Sequence, residues 1–212
     1  MSSITTRELF ILLLLGLYIL LYAADQLILN AAILEETLLY EGLSLNKIKE
    51  LLEFKKDWNW INYVSLPLIL SLKLGLISFW ILCGSILVSI KISLREIFRV
   101  VLVAEFIWLI PSFISIVWFG VISTNFTLQD VQNFQPLSML NLFDVSNVEP
   151  WLIFALRSIN LFELFYIMVL ALGMMKITNH SYSKALKLTF PVYGSALLTW
   201  IVFVTFLTIN LT

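Results

Sequence analysis

The chain has 212 residues, 60% of them hydrophobic, with a mean hydropathy of +0.97 and 14 acidic against 13 basic side chains. That composition excludes an ordinary water-soluble domain, and a net charge near zero offers nucleic acid no basic surface. A single histidine, His180, excludes a multi-His metal site, and a single cysteine, Cys83, excludes an intramolecular disulfide.

Five apolar runs follow one another at residues 9–30, 64–90, 97–122, 151–175 and 188–211. About 20 apolar residues at 1.5 Å rise cross a hydrocarbon core of roughly 30 Å. A helix is suited to that layer because it satisfies its own backbone hydrogen bonds. The expected fold is therefore all-α: one polytopic membrane domain over residues 1–212, built as a five-transmembrane-helix bundle. The first run begins like a signal peptide, with Arg7 ahead of it. It continues to Asn30, however, and places Asp25-Gln26 where a cleavage site would fall, so it reads as a retained span.

Between the first two runs, Ser44 is placed to cap a helix over residues 45–54. Leu45, Ile48, Leu51 and Leu52 recur there at helical spacing, with Lys47, Lys49, Glu50 and Glu53 between them. Trp58, Trp60 and Tyr63 come next and suit the headgroup layer as interface anchors. The expectation is an amphipathic outer-loop helix, lying on the outer leaflet or against a partner, or simply covering the bundle.

Lys and Arg set the expected orientation. Arg7, Lys91, Arg95, Arg99, Lys176, Lys184 and Lys187 fall on one side. The other side has Lys47, Lys49, Lys55 and Lys56, in a loop that also carries Glu35, Glu36, Glu41, Glu50, Glu53 and Asp57. Positive residues favour the cytoplasm, so the N-terminus is expected inside and the C-terminus outside. The connection 123–150 has no Lys or Arg and is rich in Phe126, Phe134, Leu137, Leu140 and Phe143. A loop that apolar is expected to pack back onto the bundle or dip partway into the interface.

Ionisable residues inside spans are functional candidates because they are costly there. They are Asp25, Lys73, Glu105, Arg157 and Glu163, with Asn160 beside them. Depth along each run places Asp25, Lys73 and Arg157 together in the outer half, where at least one ion pair is expected. Glu163 falls near mid-membrane and Glu105 in the inner half, neither with a cation at its own depth. Arg157, Asn160 and Glu163 are spaced by three, and Tyr166 continues the row, so they are expected on one helical face.

Neither a phosphate-binding glycine loop, nor a Gly-x-Ser-x-Gly elbow, nor a His-Glu-x-x-His is present. An ATP-hydrolysing subunit of the usual kind is thereby excluded, and no catalytic, metal or cofactor site is expected.

Residues Asn160-Leu161-Phe162-Glu163-Leu164-Phe165-Tyr166 and Leu170-Ala171-Leu172-Gly173 carry a resemblance. So do the turn Ser183-Lys184-Ala185-Leu186-Lys187, the span opening at Pro191, and residues 134–143. Over roughly residues 64–206 the chain resembles the Ypt-interacting-protein (YIP) family, in particular its bacterial branch. The resemblance implies a five-span bundle. Eukaryotic relatives bind small GTPases through a long cytoplasmic N-terminal region; about eight residues stand there in this chain, so that role is not carried over.

The resulting expectation is a non-enzymatic accessory or scaffold subunit of a larger membrane complex in a bacterial inner membrane, with an ABC-type export system as a candidate host. Its partners would be the lipid bilayer and other membrane subunits. The alternative is a small transporter or channel using Glu105 and the Arg157/Asn160/Glu163 stripe, its substrate unknown. A weaker third reading is a membrane enzyme acting on lipid.

Overall fold

The computed structural model describes residues 4–29, 34, 38–39, 42–123 and 126–211, the side chains of Ser146 and Leu211 aside. The expected end of the first span at Asn30, and Glu35, Glu36 and Glu41, lie outside the described residues. Among those described, the fold is all-α, and five helical stretches are long and apolar enough to cross a membrane.

Helix α1 (Thr6–Leu27) starts at a capping box. The Glu8 amide donates to the Thr5 hydroxyl at 3.3 Å, and the Thr5 amide donates to the Glu8 carboxylate at 2.7 Å. Helix α2 (Leu45–Leu87) runs 43 residues without a break. The expected helix over residues 45–54 is present, but it runs on into the second span instead of standing apart. From Leu45 to Tyr63 no Gly or Pro interrupts the chain, so nothing stops the helix. Ser44 takes the cap position with extended backbone, but its side chain makes no cap bond.

Pro67 lies inside α2 and lacks the amide that would bond the Tyr63 carbonyl. The hydroxyl of Tyr18 on α1 donates to that carbonyl at 2.9 Å, and the two tyrosine rings stack at 6.2 Å. A proline defect in one helix thus becomes an anchor for another.

The third span, Leu94–Ile122, begins with α3 (Leu94–Glu105), capped by Ser93 with Glu96. It passes through a tight turn at Phe106–Trp108 into α4 (Leu109–Val117) and ends in a wide turn at Trp118–Ile122. In the connection that follows, expected on the outer side, α5 (Leu128–Asn133) is capped by Thr127 with Asp130. Phe126 and Phe134 meet Phe119 edge-on, each at 5.0 Å, and Leu140 is buried, so this part of the loop packs onto the bundle, while Leu137, Leu142 and Phe143 stay exposed.

The expected fourth run, 151–175, is two helices: α6 (Pro150–Ser158) and α7 (Leu161–Thr178). Helix α7 ends at Asn179 in the left-handed conformation, φ 53°, which asparagine tolerates at a helix end. Helix α8 (Tyr182–Leu211) is the last span.

Helices α2, α3, α7 and α8 form a ring, each packed on the next, with α8 closing against α2. Leu74, Ile97, Val101, Leu102, Leu170 and Met174 fill its interior. Helix α1 lies outside the ring against α3 and α4 and buries little besides Leu13, while α6 packs on α8. Around the outside, α1 and α8 present large apolar side chains such as Ile19, Leu198 and Val202. That exposure fits lipid.

Two glycines set the ring's closest approaches. A methyl at Gly173 on α7 would overlap Val100 on α3, and one at Gly84 on α2 would overlap Val192 on α8. Gly75, by contrast, faces open space. Gly173→Leu is expected to force α7 from α3 and destabilise by about 1–3 kcal/mol or more, as overpacking does. Thermal unfolding in detergent measures this, and Val100→Ala in the same chain should recover part of the loss.

Candidate functional site

The ring encloses a polar cluster contributed by four helical stretches. Lys73 of α2 reaches Glu105 at the end of α3, Nζ to Oε1 2.5 Å. The same ammonium sits 5.1 Å from the centre of the Trp108 ring. Glu105 is only 4% exposed, whereas the Lys73 side chain retains 42% at the rim of the ring. One turn inward on α7, Tyr166 is fully buried, its ring 6.2 Å from Trp108 and 5.1 Å from Tyr193 of α8. The Tyr193 hydroxyl donates to Glu163 Oε2 at 2.8 Å, and Glu163 is 9% exposed.

One cation therefore faces two buried carboxylates and two buried phenols. Glu105 Oε2 and the neighbouring Tyr166 hydroxyl are both buried without a completed hydrogen bond. The Trp108 Nε1 and Thr189 Oγ1 groups share that condition. Among the described residues no group of three or more His, Cys, Asp or Glu is arranged to hold a metal ion.

The expected ion pair among Asp25, Lys73 and Arg157 is not made. Asp25 pairs with Lys55 at 3.0 Å and accepts from Asn59 at 3.4 Å. Lys55 also donates to the Leu29 carbonyl, so it closes the end of α1 onto α2. Lys73 pairs instead with Glu105, which corrects the expectation that Glu105 has no cation. A lysine stem spans several ångströms, and that reach erases the difference in depth. Arg157 donates to the Gln132 carbonyl in the outer connection and lies 5.7 Å from the Phe154 ring.

The Arg157/Asn160/Glu163 stripe is likewise not one helical face. Asn160 has extended backbone, φ −141° and ψ 165°, and is the N-cap of α7. Its side chain accepts from the Glu163 amide at 3.0 Å. Arg157 therefore belongs to a different helix from Glu163. The backbone groups freed at this break meet the outer connection. The Met139 amide donates to the Ile159 carbonyl at 2.9 Å, and the Leu161 amide donates to the Leu137 carbonyl at 3.1 Å. Leu137 holds φ 56°, an uncommon conformation for a leucine, to make that bridge.

Of the expected interface anchors, Trp58 and Trp60 point outward, 50% and 57% exposed, while Tyr63 stacks on Tyr18. Sequence reasoning did not name Trp108 or Tyr193. Trp108 had a signal, lying three residues after Glu105 on the same helical face. Tyr193 had none, since only the packing of α8 on α7 brings it to Glu163.

No family model, curated protein or solved structure matches this chain.

Removing one partner of a buried ion pair strands the other charge and typically costs about 3–5 kcal/mol. Lys73→Met is expected to lower thermal stability in detergent by that order, discounted because the lysine is partly exposed. Lys73→Met with Glu105→Gln should recover most of it. Equal losses in the single and double variants would mean the pair is not what holds α2 to α3.

Proposed function

We propose that this chain is a non-enzymatic accessory or scaffold subunit of a larger membrane complex, a YIP-like bundle seated in a bacterial inner membrane. An ABC-type export system is a reasonable host. The observation that carries this reading is the closure of the polar cluster. Lys73 neutralises Glu105, Tyr193 satisfies Glu163, and packed side chains bury both carboxylates. Such a network fixes which helices pair; a transport pathway needs its ionisable groups open to water.

The proposed docking surface is the outer part of α2. At 43 residues α2 is about 64 Å long, twice the thickness of a hydrocarbon core. Its first three turns extend past the Asp25–Lys55 pair that closes α1. Leu51, Phe54, Trp58 and Ile61 fall at helical spacing and are all exposed. Glu50, Glu53 and Asp57 line the neighbouring stripe. The matching partner is a membrane subunit with an apolar helix face bordered by basic residues.

A gentle detergent pull-down from the native membrane tests the reading. Leu51→Glu with Phe54→Glu should reduce partner recovery several-fold while expression stays normal. Glu163→Gln keeps an oxygen that accepts from Tyr193, so complex and activity should both survive. Loss of activity in Glu163→Gln with an intact complex would instead favour the transporter reading. Reporter fusions at the C-terminus and within residues 126–149 should both read the outer compartment; a cytoplasmic signal from either would reverse the proposed orientation.

A further inference from the structure

The end of the bundle opposite the outer connection carries a strong charge imbalance. Segments 4–8, 88–99 and 176–187 hold seven Lys and Arg against two acids, Glu8 and Glu96. Both acids are taken up in capping boxes, with Thr5 and Ser93. The Arg99 guanidinium donates to the Ile4 carbonyl at 2.8 Å, which ties α1 to α3 at this end. Most of the remaining cations have no acid of this end to answer them.

Two adjoining hollows open here, meeting at Ile90. One, of about 140 Å³, lies between the α2–α3 turn and the α7–α8 turn and is lined by Ile90, Thr178, His180, Lys184, Ala185 and Leu188. The other is an open groove running from Leu82 and Ile86 on the last turns of α2 to Ser89 and Lys91 in the turn. Its upper part is apolar and faces the lipid layer. Its lower part is lined by Ser89, Lys91 and Ser93, the last bonded to Glu96, and the first hollow by His180 and Lys184, at the level where the helices turn back. Ser89 holds φ 58° in that turn, a strained conformation that shapes the groove's floor.

An apolar groove leading down to hydrogen-bond donors and cations, at the membrane boundary between two helix turns, has the chemistry of a phospholipid site. Basic pockets between transmembrane helices bind anionic headgroups in this way. We propose that the hollows form a binding site for an anionic phospholipid. Lys184 and His180 would take the phosphate, Lys91 would flank it, and Leu82 and Ile86 would receive an acyl chain. The site is independent of the docking surface on α2, which lies at the other end of the molecule.

The test uses the full chain in phosphatidylcholine nanodiscs with trace spin-labelled phosphatidylglycerol or spin-labelled phosphatidylcholine. Electron paramagnetic resonance reads the fraction of label held at the protein. Phosphatidylglycerol should be retained selectively, and Lys184→Gln and Lys91→Gln should each lower that selectivity about fivefold. Lys184→Arg, which keeps the charge, should preserve it, so a folding defect is separable from a binding one. Arg7→Gln, at the same end but outside the hollows, should leave it unchanged. Equal retention of the two lipids, or an equal loss in Arg7→Gln, would overturn the site in favour of general surface charge. Displacement of the label by excess inorganic phosphate would overturn the lipid assignment and name free phosphate as the ligand.

Discussion

The arrangement of this bundle turns on two carboxylates buried among apolar helices. An ionised side chain at the centre of a membrane costs roughly 2.5–3.5 kcal/mol on insertion scales, and burial against protein does not remove that cost unless a partner is supplied. Glu105 receives Lys73 from α2, and Glu163 receives the Tyr193 hydroxyl from α8. Each carboxylate thus joins two neighbouring helices of the ring, and Tyr166 and Trp108 fill the space between the two pairs. Apolar packing against lipid-like surroundings does little to choose one helix neighbour over another. Polar pairs and close glycine contacts do, and here both act on the same four helices.

The end of the bundle that carries the connection 123–150 obeys the same rule for backbone groups. A helix break inside a membrane exposes amides and carbonyls that lipid cannot satisfy. At Ile159–Asn160 the Asn160 side chain caps α7, and the outer connection supplies Met139 N–H and the Leu137 carbonyl. The apolar residues of that connection hold it down, through Phe126 and Phe134 on Phe119 and the Trp118–Phe134 stack. Helix α1, outside the ring, is fastened by polar links more than by a wide apolar face, among them Lys55 to Asp25 and to the Leu29 carbonyl, Tyr18 to the Tyr63 carbonyl, and Arg99 to the Ile4 carbonyl.

The five spans, the all-α class and the packed outer connection were legible because apolar length and composition determine them directly. Pairing was less legible. Depth along a run placed Lys73 with Asp25, but a helix position says nothing about which neighbour a side chain faces, and lysine reaches far enough to cross a turn of depth. The break before α7 did leave a signal. Asn160 followed by Glu163 three residues on has the form of a helix start, and reading the spacing as a stripe assumed a continuous helix. The fusion of residues 45–54 with the second span was also readable, since no breaker separates them; the charged and aromatic cluster at Lys55–Trp60 suggested a boundary that the backbone does not make.

The scaffold proposed above requires the cluster to be closed to water, and Trp108 reports on that without any substitution. Its Nε1 is buried beside Glu105, Lys73 and Tyr166, whereas Trp58 and Trp60 are exposed on α2. Hydrogen–deuterium exchange of the indole N–H groups, followed by nuclear magnetic resonance on ¹⁵N-tryptophan protein in lipid nanodiscs, measures water access at that point. The account predicts that the Trp108 N–H persists long after those of Trp58 and Trp60 have exchanged. Exchange of Trp108 as fast as Trp58 and Trp60 would place water in the centre of the ring and contradict it.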